Sequence, residues 1–312
     1  MENKKLYTKI AYWYYTLGLT QDEIAKRLSL TRQKVNQIIH SLIELGIVSI
    51  TINGCDERNF ILENYLETRF NLKQAIVIDS YNDENDDRIF KSVANAAARH
   101  LERIIQPKSI IGVSWGTTLT STITQMQYKR KPDCKIIQLI GAQNMSEDAL
   151  KSDEIVRLLA DRLDCPSYML YAPVIVNNPV TKQALMEEPS IKKSFLYMQS
   201  CDIALVGIGE LTENATIYKK GLLSKKDVQT LCDDGFCADI CINAVMPDGS
   251  GSKSCITDRV IGADLNILSK IPNVIAIVSG MQKNKAVMAA LKSNCINTLI
   301  TDSNIANYIM EH

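Results

Sequence analysis

The chain has 312 residues, 46% of them hydrophobic and 22% charged, enough for one small and one large domain with a sizeable core. Lys+Arg and Asp+Glu each number 35, so the overall charge favours no particular partner. No run approaches the roughly 18 apolar residues of a membrane helix, and no apolar run follows the charged N-terminus as in a secretory signal. The expectation is therefore a cytoplasmic protein without membrane contact, its nine cysteines reduced thiols.

Charge is uneven along the chain. Residues Met1–Asn53 hold seven basic side chains against four acidic ones, a small positive surplus inside a neutral whole. Tyr7–Leu17 is aromatic-rich and reads as a helix stopped by Gly18. Thr20 and Glu23 form a capping box for the next helix, which puts Ile24, Ala25 and Leu28 on one face. After a break at Ser29-Leu30, Thr31 caps a third helix in which Val35, Ile38, Ile39 and Leu42 keep the spacing of a buried stripe. Gly46 ends it, and Ile47–Ile52 alternates as a short strand does. Residues 1–53 thus read as a winged helix-turn-helix domain. Asp56–Phe70 is amphipathic, and 54–71 reads as a linker helix able to pack against a second subunit.

From Leu72 onward, short apolar runs alternate with helical stretches. The predicted strands are Ala75–Ile78, Ile110–Val113, Lys135–Ile140, Ile203–Val206, Val274–Val278 and Asn297–Ile300. Helices are predicted over Asp87–Ile104, Asp153–Leu163 and Lys285–Leu291. Such alternation predicts an α/β fold over 72–312, a doubly wound, mostly parallel sheet with ligands at the carboxyl ends of its strands.

The third helix presents Thr31, Arg32, Gln33, Asn36 and Gln37 on its outer face, side chains able to reach base edges. Lys34 and Gln21 suit phosphates near a helix end. Solvated helices are also polar outside, but no acidic residue interrupts this face between Thr31 and His40. The pattern predicts binding of double-stranded operator DNA.

Three loops in the larger region draw notice, each just past a predicted strand. Ser114-Trp115-Gly116-Thr117-Thr118 after Ile110–Val113 offers backbone N–H groups at a helix start, which suits a phosphate; turn geometry and capping use the same residue types. Asp239 sits among apolar neighbours, where it either accepts from sugar hydroxyls or caps a turn. Lys283 follows Val274–Val278 and either neutralises a phosphate or is a surface lysine. An Asp–Lys pair can also move protons on a sugar phosphate, which keeps an isomerase-like enzyme as the alternative to a regulator. No histidine flanks these loops, so no Ser-His-Asp or Cys-His set is predicted. Cys232, Cys237 and Cys241 match no common zinc spacing, and neither metal nor cofactor is expected.

Many short segments in one order resemble the SorC family of sugar-responsive bacterial transcriptional regulators over nearly the whole chain. They include Ala11–Tyr15 before Leu19-Thr20-Gln21, Gly112–Leu119, Val206–Gly209, Asp239–Cys241, Arg259–Gly262, Ile271–Ala276 and Asn297–Asp302. The resemblance implies a sensing domain similar to sugar-phosphate isomerases and deaminases, homodimers or homotetramers, and DNA contacts controlled by a small phosphorylated sugar or polyol. It also implies effector contacts at Ser114–Thr118, Asp239 and Lys283. The chain departs from the family pattern at Ala238, at Ser279-Gly280 and over Ala244–Asp248. Ile140 stands where some members carry a lysine that reacts with an aldehyde, which excludes an imine at that position.

Overall fold

The computed structural model describes residues 2–50, 57–80, 85–142, 152–212, 215–219, 221–251 and 253–312. The chain divides into two compact units, Met1–Glu57 and Arg58–His312.

In the first unit, α1 (Glu2–Ala11) runs into a π-helical turn over Tyr12–Thr16, a change of winding inside the single helix predicted there. Next come α2 (Gln21–Leu28) and α3 (Arg32–Glu44). Thr20 and Glu23 make the reciprocal capping box at the start of α2, and Thr31 accepts the Lys34 N–H at the start of α3. Between the two helices Ser29 takes a left-handed conformation, φ 52°, which turns the chain sharply. Ile10, Ile24, Ala25, Val35, Ile38, Ile39 and Leu42 bury together as the core of this unit. The strand predicted at Ile47–Ile52 is not formed over its described part, Ile47–Ile50. The Ile47 and Val48 N–H groups both donate to Leu42 O and wrap up the end of α3. Thr51, Ile52 and Asn53 lie outside the described residues.

After Glu57, the first residue of α4 (Glu57–Phe70), the second unit holds the rest of that helix and is built on a seven-stranded sheet. In chain order the elements are β1 (Gln74–Ile78), α5 (Asp86–Ile104), β2 (Ile110–Val113), α6 (Thr117–Gln125), β3 (Lys135–Gln138), α7 (Ser152–Leu163) and β4 (Ser167–Tyr168). Then come α8 (Pro179–Glu187), α9 (Pro189–Gln199), β5 (Ile203–Val206), β6 (Ile208–Glu210), α10 (Thr216–Lys219), α11 (Lys225–Asp233), β7 (Ala238–Ile240) and β8 (Asn243–Val245). The last are α12 (Leu265–Leu268), β9 (Asn273–Ile277), α13 (Asn284–Lys292), β10 (Thr298–Asp302) and α14 (Ser303–Glu311).

Every pairing in the large sheet is parallel, in the order β1-β10-β9-β5-β2-β3-β4. Its central strands are apolar on both faces. Ile203 and Leu205 of β5 join one core with α5, α6 and α7, while Ala204 and Val206 join the other with α4, α9, α13 and α14. A strand buried on both sides reads as an unbroken apolar run. The chain winds outward from β2 through β3 and β4, then from β5 through β9 and β10 the other way. The switch point therefore lies between β2 and β5, where a doubly wound sheet opens a crevice at its carboxyl edge.

A second, antiparallel sheet, β6-β7-β8, stands beside this crevice. Its β7–β8 turn places Cys241 at φ 52° and Ile242 at φ 64°. Two-residue hairpins want positive φ at both positions, but usually from Asn or Gly; a β-branched residue there costs of order 1–3 kcal/mol. Hydrogen bonds hold the turn: Asp239 Oδ2 accepts the Ile242 N–H at 3.2 Å, and Asn243 Nδ2 donates to Ala263 O at 2.9 Å.

Candidate functional site

In the first unit, α3 exposes Arg32, Gln33, Lys34 and Gln37, with Asn36 half-buried beside α2. Thr31 is exposed and serves as the N-cap, its hydroxyl oxygen occupied by the Lys34 N–H at 3.2 Å. Gln21, expected at a phosphate, turns its amide to Asn36: Nε2 donates to Oδ1 at 3.0 Å. Arg32 lies 3.9 Å from Asp22 in an exposed ion pair that adds little stability and yields readily to a stronger anion. The first turn of α3 holds no acidic residue, and Lys26 and Arg27 close α2.

In the second unit, a cavity of about 590 Å³ opens at the switch point. Trp115 and Gly116 line it from the β2–α6 loop, Thr117 and Thr118 from the first turn of α6, and Lys283 from the turn after β9, while Asp239 lines it from within β7 and not from a loop after a strand. Six of the seven predicted effector residues thus meet around one space. The seventh, Ser114, is buried behind them: its N–H donates to Leu205 O at 2.9 Å and its hydroxyl pairs with the Cys241 thiol. Ile140, packed in the core, is not among the lining residues.

Gly116 caps α6 without a side chain, at φ 134°, a conformation closed to most residues. The first N–H groups of α6 are therefore free of a side-chain cap, and the first turn carries no acid. Such a helix start attracts an anion. Farther along α6, Thr120, Thr122 and Thr124 return their hydroxyls to carbonyls four residues back, so these hydroxyls are engaged within the helix.

Asp239 crosses the small sheet toward Gly209, its partner in the β6–β7 ladder. A Cβ on Gly209 would stand 1.9 Å from Asp239 Oδ1, so the glycine makes the space that the carboxylate fills. Gly207 brings the β5 loop against Trp115, whose carbonyl lies 3.4 Å from where a Cβ would be. Burial pushes the Asp239 carboxyl up to about 6, against the opposing pull of the Ile242 N–H and the Lys283 charge. Lys283 is lowered by burial, while Asp239 and Glu210 favour its charged form. The Cys241 thiol is pushed up to about 12, chiefly by burial, and is no nucleophile. Among the described residues no cluster of His, Cys, Asp and Glu could hold a metal ion. The arrangement offers a cation and a helix start for an anionic group, and a carboxylate to accept from hydroxyls.

A family model described as "Putative sugar-binding domain" matches residues 56–311. The sorbitol operon regulator of Klebsiella pneumoniae is 26% identical, with 100% of both chains aligned. The deoxyribonucleoside regulator of Bacillus subtilis is 26% identical over 99% of this chain and 98% of its own. The crystal structure of the full-length sorbitol operon regulator SorC superposes with a TM-score of 0.76 at 25% identity, covering 98% of each chain. The chain belongs to the SorC family of sugar-responsive transcriptional regulators.

Several residues lining the cavity of this SorC-family chain were not predicted from sequence as effector contacts: Gly207, Gly209, Glu210, Lys219, Cys241 and Gln282. The run Val206–Gly209 carried the signal for the two glycines, as small residues directly after an apolar strand. Gln282 neighbours the chosen Lys283. Nothing in the local sequence of Glu210 or Lys219 marks them. No described helix is long and apolar enough to cross a membrane.

Proposed function

We propose that this SorC-family regulator holds operator DNA through α3 and changes that hold when a small phosphorylated sugar or polyol enters the switch-point cavity. One observation carries the reading: the uncapped start of α6, Lys283 and Asp239 line a single cavity. The phosphate sits at Trp115, Gly116 and the first turn of α6 (Thr117, Thr118) with Lys283, and Ser114 supports this segment from behind. Asp239 accepts from the sugar hydroxyls. Thr31, Arg32, Gln33, Asn36 and Gln37 face base edges, and Lys34 meets the phosphate backbone. Because one recognition helix supplies few base contacts, a symmetric dimer or tetramer engages paired half-sites in the cytoplasm.

An isomerase-like activity would draw on the same Asp239–Lys283 pair. The helix-turn-helix unit and full-length relatives named as regulators favour sensing over chemistry. A thermal-shift screen of sugar and polyol phosphates against the full chain tests the proposal. A bound ligand raises stability by mass action, so the effector should raise Tm and its unphosphorylated counterpart should not. Equal shifts from both members of a pair would remove the phosphate from the reading.

A further inference from the structure

Gln21 and Asn36 lie 15 positions apart, yet their side chains meet at 3.0 Å in a half-buried hydrogen bond. Both ends are anchored. The capping box of Thr20 and Glu23 fixes the backbone into which Gln21 leads. Buried Ala25 and Val35 fix the crossing of the two helices. The bond thus joins two positions already held by the core, and as formed it turns Asn36 Oδ1 toward α2.

That orientation matters for reading DNA. The two ends of an asparagine amide are nearly equal in shape but opposite in hydrogen bonding. Adenine presents an acceptor, N7, beside a donor, the N6 amine, so Asn must offer N–H and oxygen in a set order. Gln21 Nε2 donates to Oδ1 and holds the oxygen toward α2. One oxygen lone pair and both Nδ2 hydrogens remain for the base.

We propose that Gln21 is a positioning residue for base recognition: by fixing the Asn36 amide it sets an adenine preference at one operator position in each half-site. The inference rests on the reading of α3 as the recognition helix. Arg32 has no comparable support, since its Asp22 contact is long and exposed.

The test uses the full chain. Selection from a randomised duplex library defines the operator, and fluorescence anisotropy then measures affinity for all four bases at every position. Asn36→Ala should erase the preference for adenine at one position. Gln21→Ala should reduce discrimination at that same position about tenfold, leaving other positions and the salt dependence unchanged. The double variant should match Asn36→Ala alone. Gln21→Glu is the sharper probe. A carboxylate only accepts, so it draws Nδ2 inward, turns Oδ1 outward and moves the preference to an edge that donates, such as the cytosine N4 amine.

A uniform loss of affinity in Gln21→Ala, with discrimination intact, would mean that Gln21 is merely structural. An unchanged base preference in Gln21→Glu overturns the proposal in the same way. If Asn36→Ala alters no preference at any position, the assignment of base-reading residues falls and this inference with it. Loss of a preference in Asn36→Ala but not in Gln21→Ala rejects only the role of Gln21.

Discussion

Asp239 is held where a carboxylate is expensive, and its titration carries the sign of that cost. Its folded value, about 6, lies above the ordinary 3.8. The folded state therefore binds the proton more tightly, and this residue's contribution to stability falls as pH rises from about 4 to about 6, then levels off. Asp239→Asn keeps an oxygen for the Ile242 N–H but buries no charge. Its Tm should exceed that of the wild type by a few degrees at pH 8, consistent with about 1–3 kcal/mol, and the advantage should shrink toward pH 4. The same variant should respond to effector only at higher concentration, a gain in stability at the expense of function. Calorimetry across pH, paired with effector titration, checks both halves. Gly209→Ala attacks the same site from the other side: its methyl group claims the space of Asp239 Oδ1, so effector affinity should drop while α3 is untouched.

At the scale of elements, α4 does more than join two regions. Its Leu62, Leu66 and Phe70 enter the sheet core, and its Glu67 and Glu63 accept the Ala75 and Val77 N–H groups at 2.8 Å each. Those donors lie on the outer edge of β1, the end strand of the sheet, which the two glutamates close against pairing with another chain. Glu63→Ala with Glu67→Ala should lower stability by about 1–3 kcal/mol per donor left unpaired and increase light scattering on warming; urea titration measures the first. This edge cover was not legible in the sequence, because a glutamate that caps a distant strand looks like any solvated helix residue. Strands buried on both faces were legible, since β2, β5 and β9 are continuous apolar runs. The small sheet was not. Its strands are three residues each, too short to show alternation, and the Gly209–Asp239 pairing joins residues 30 positions apart. Residues of the cavity that follow long strands could be picked out by position, while Glu210 and Lys219 depend on that unseen sheet. At the other end of the chain, Ile47 and Val48, read as the start of a strand, instead close the end of α3 on the Leu42 carbonyl.

In the whole molecule as proposed, two separately packed units are linked through one equilibrium. An effector shifts operator affinity only by its differential affinity for the two protein states. A symmetric assembly should protect paired half-sites separated by whole helical turns in footprinting; a single short footprint from a monomer would contradict it. The most direct test is operator binding by the full chain, measured by fluorescence anisotropy during titration with a sugar phosphate that binds, its unphosphorylated sugar, and buffer alone. Wild type should shift with the phosphorylated ligand only. Lys283→Ala should bind operator as tightly as wild type but need about ten- to a hundredfold more ligand, the effect of losing one charge-assisted hydrogen bond. A wild-type response to the unphosphorylated sugar at equal concentration, or a Lys283→Ala titration that overlays wild type, would contradict the account.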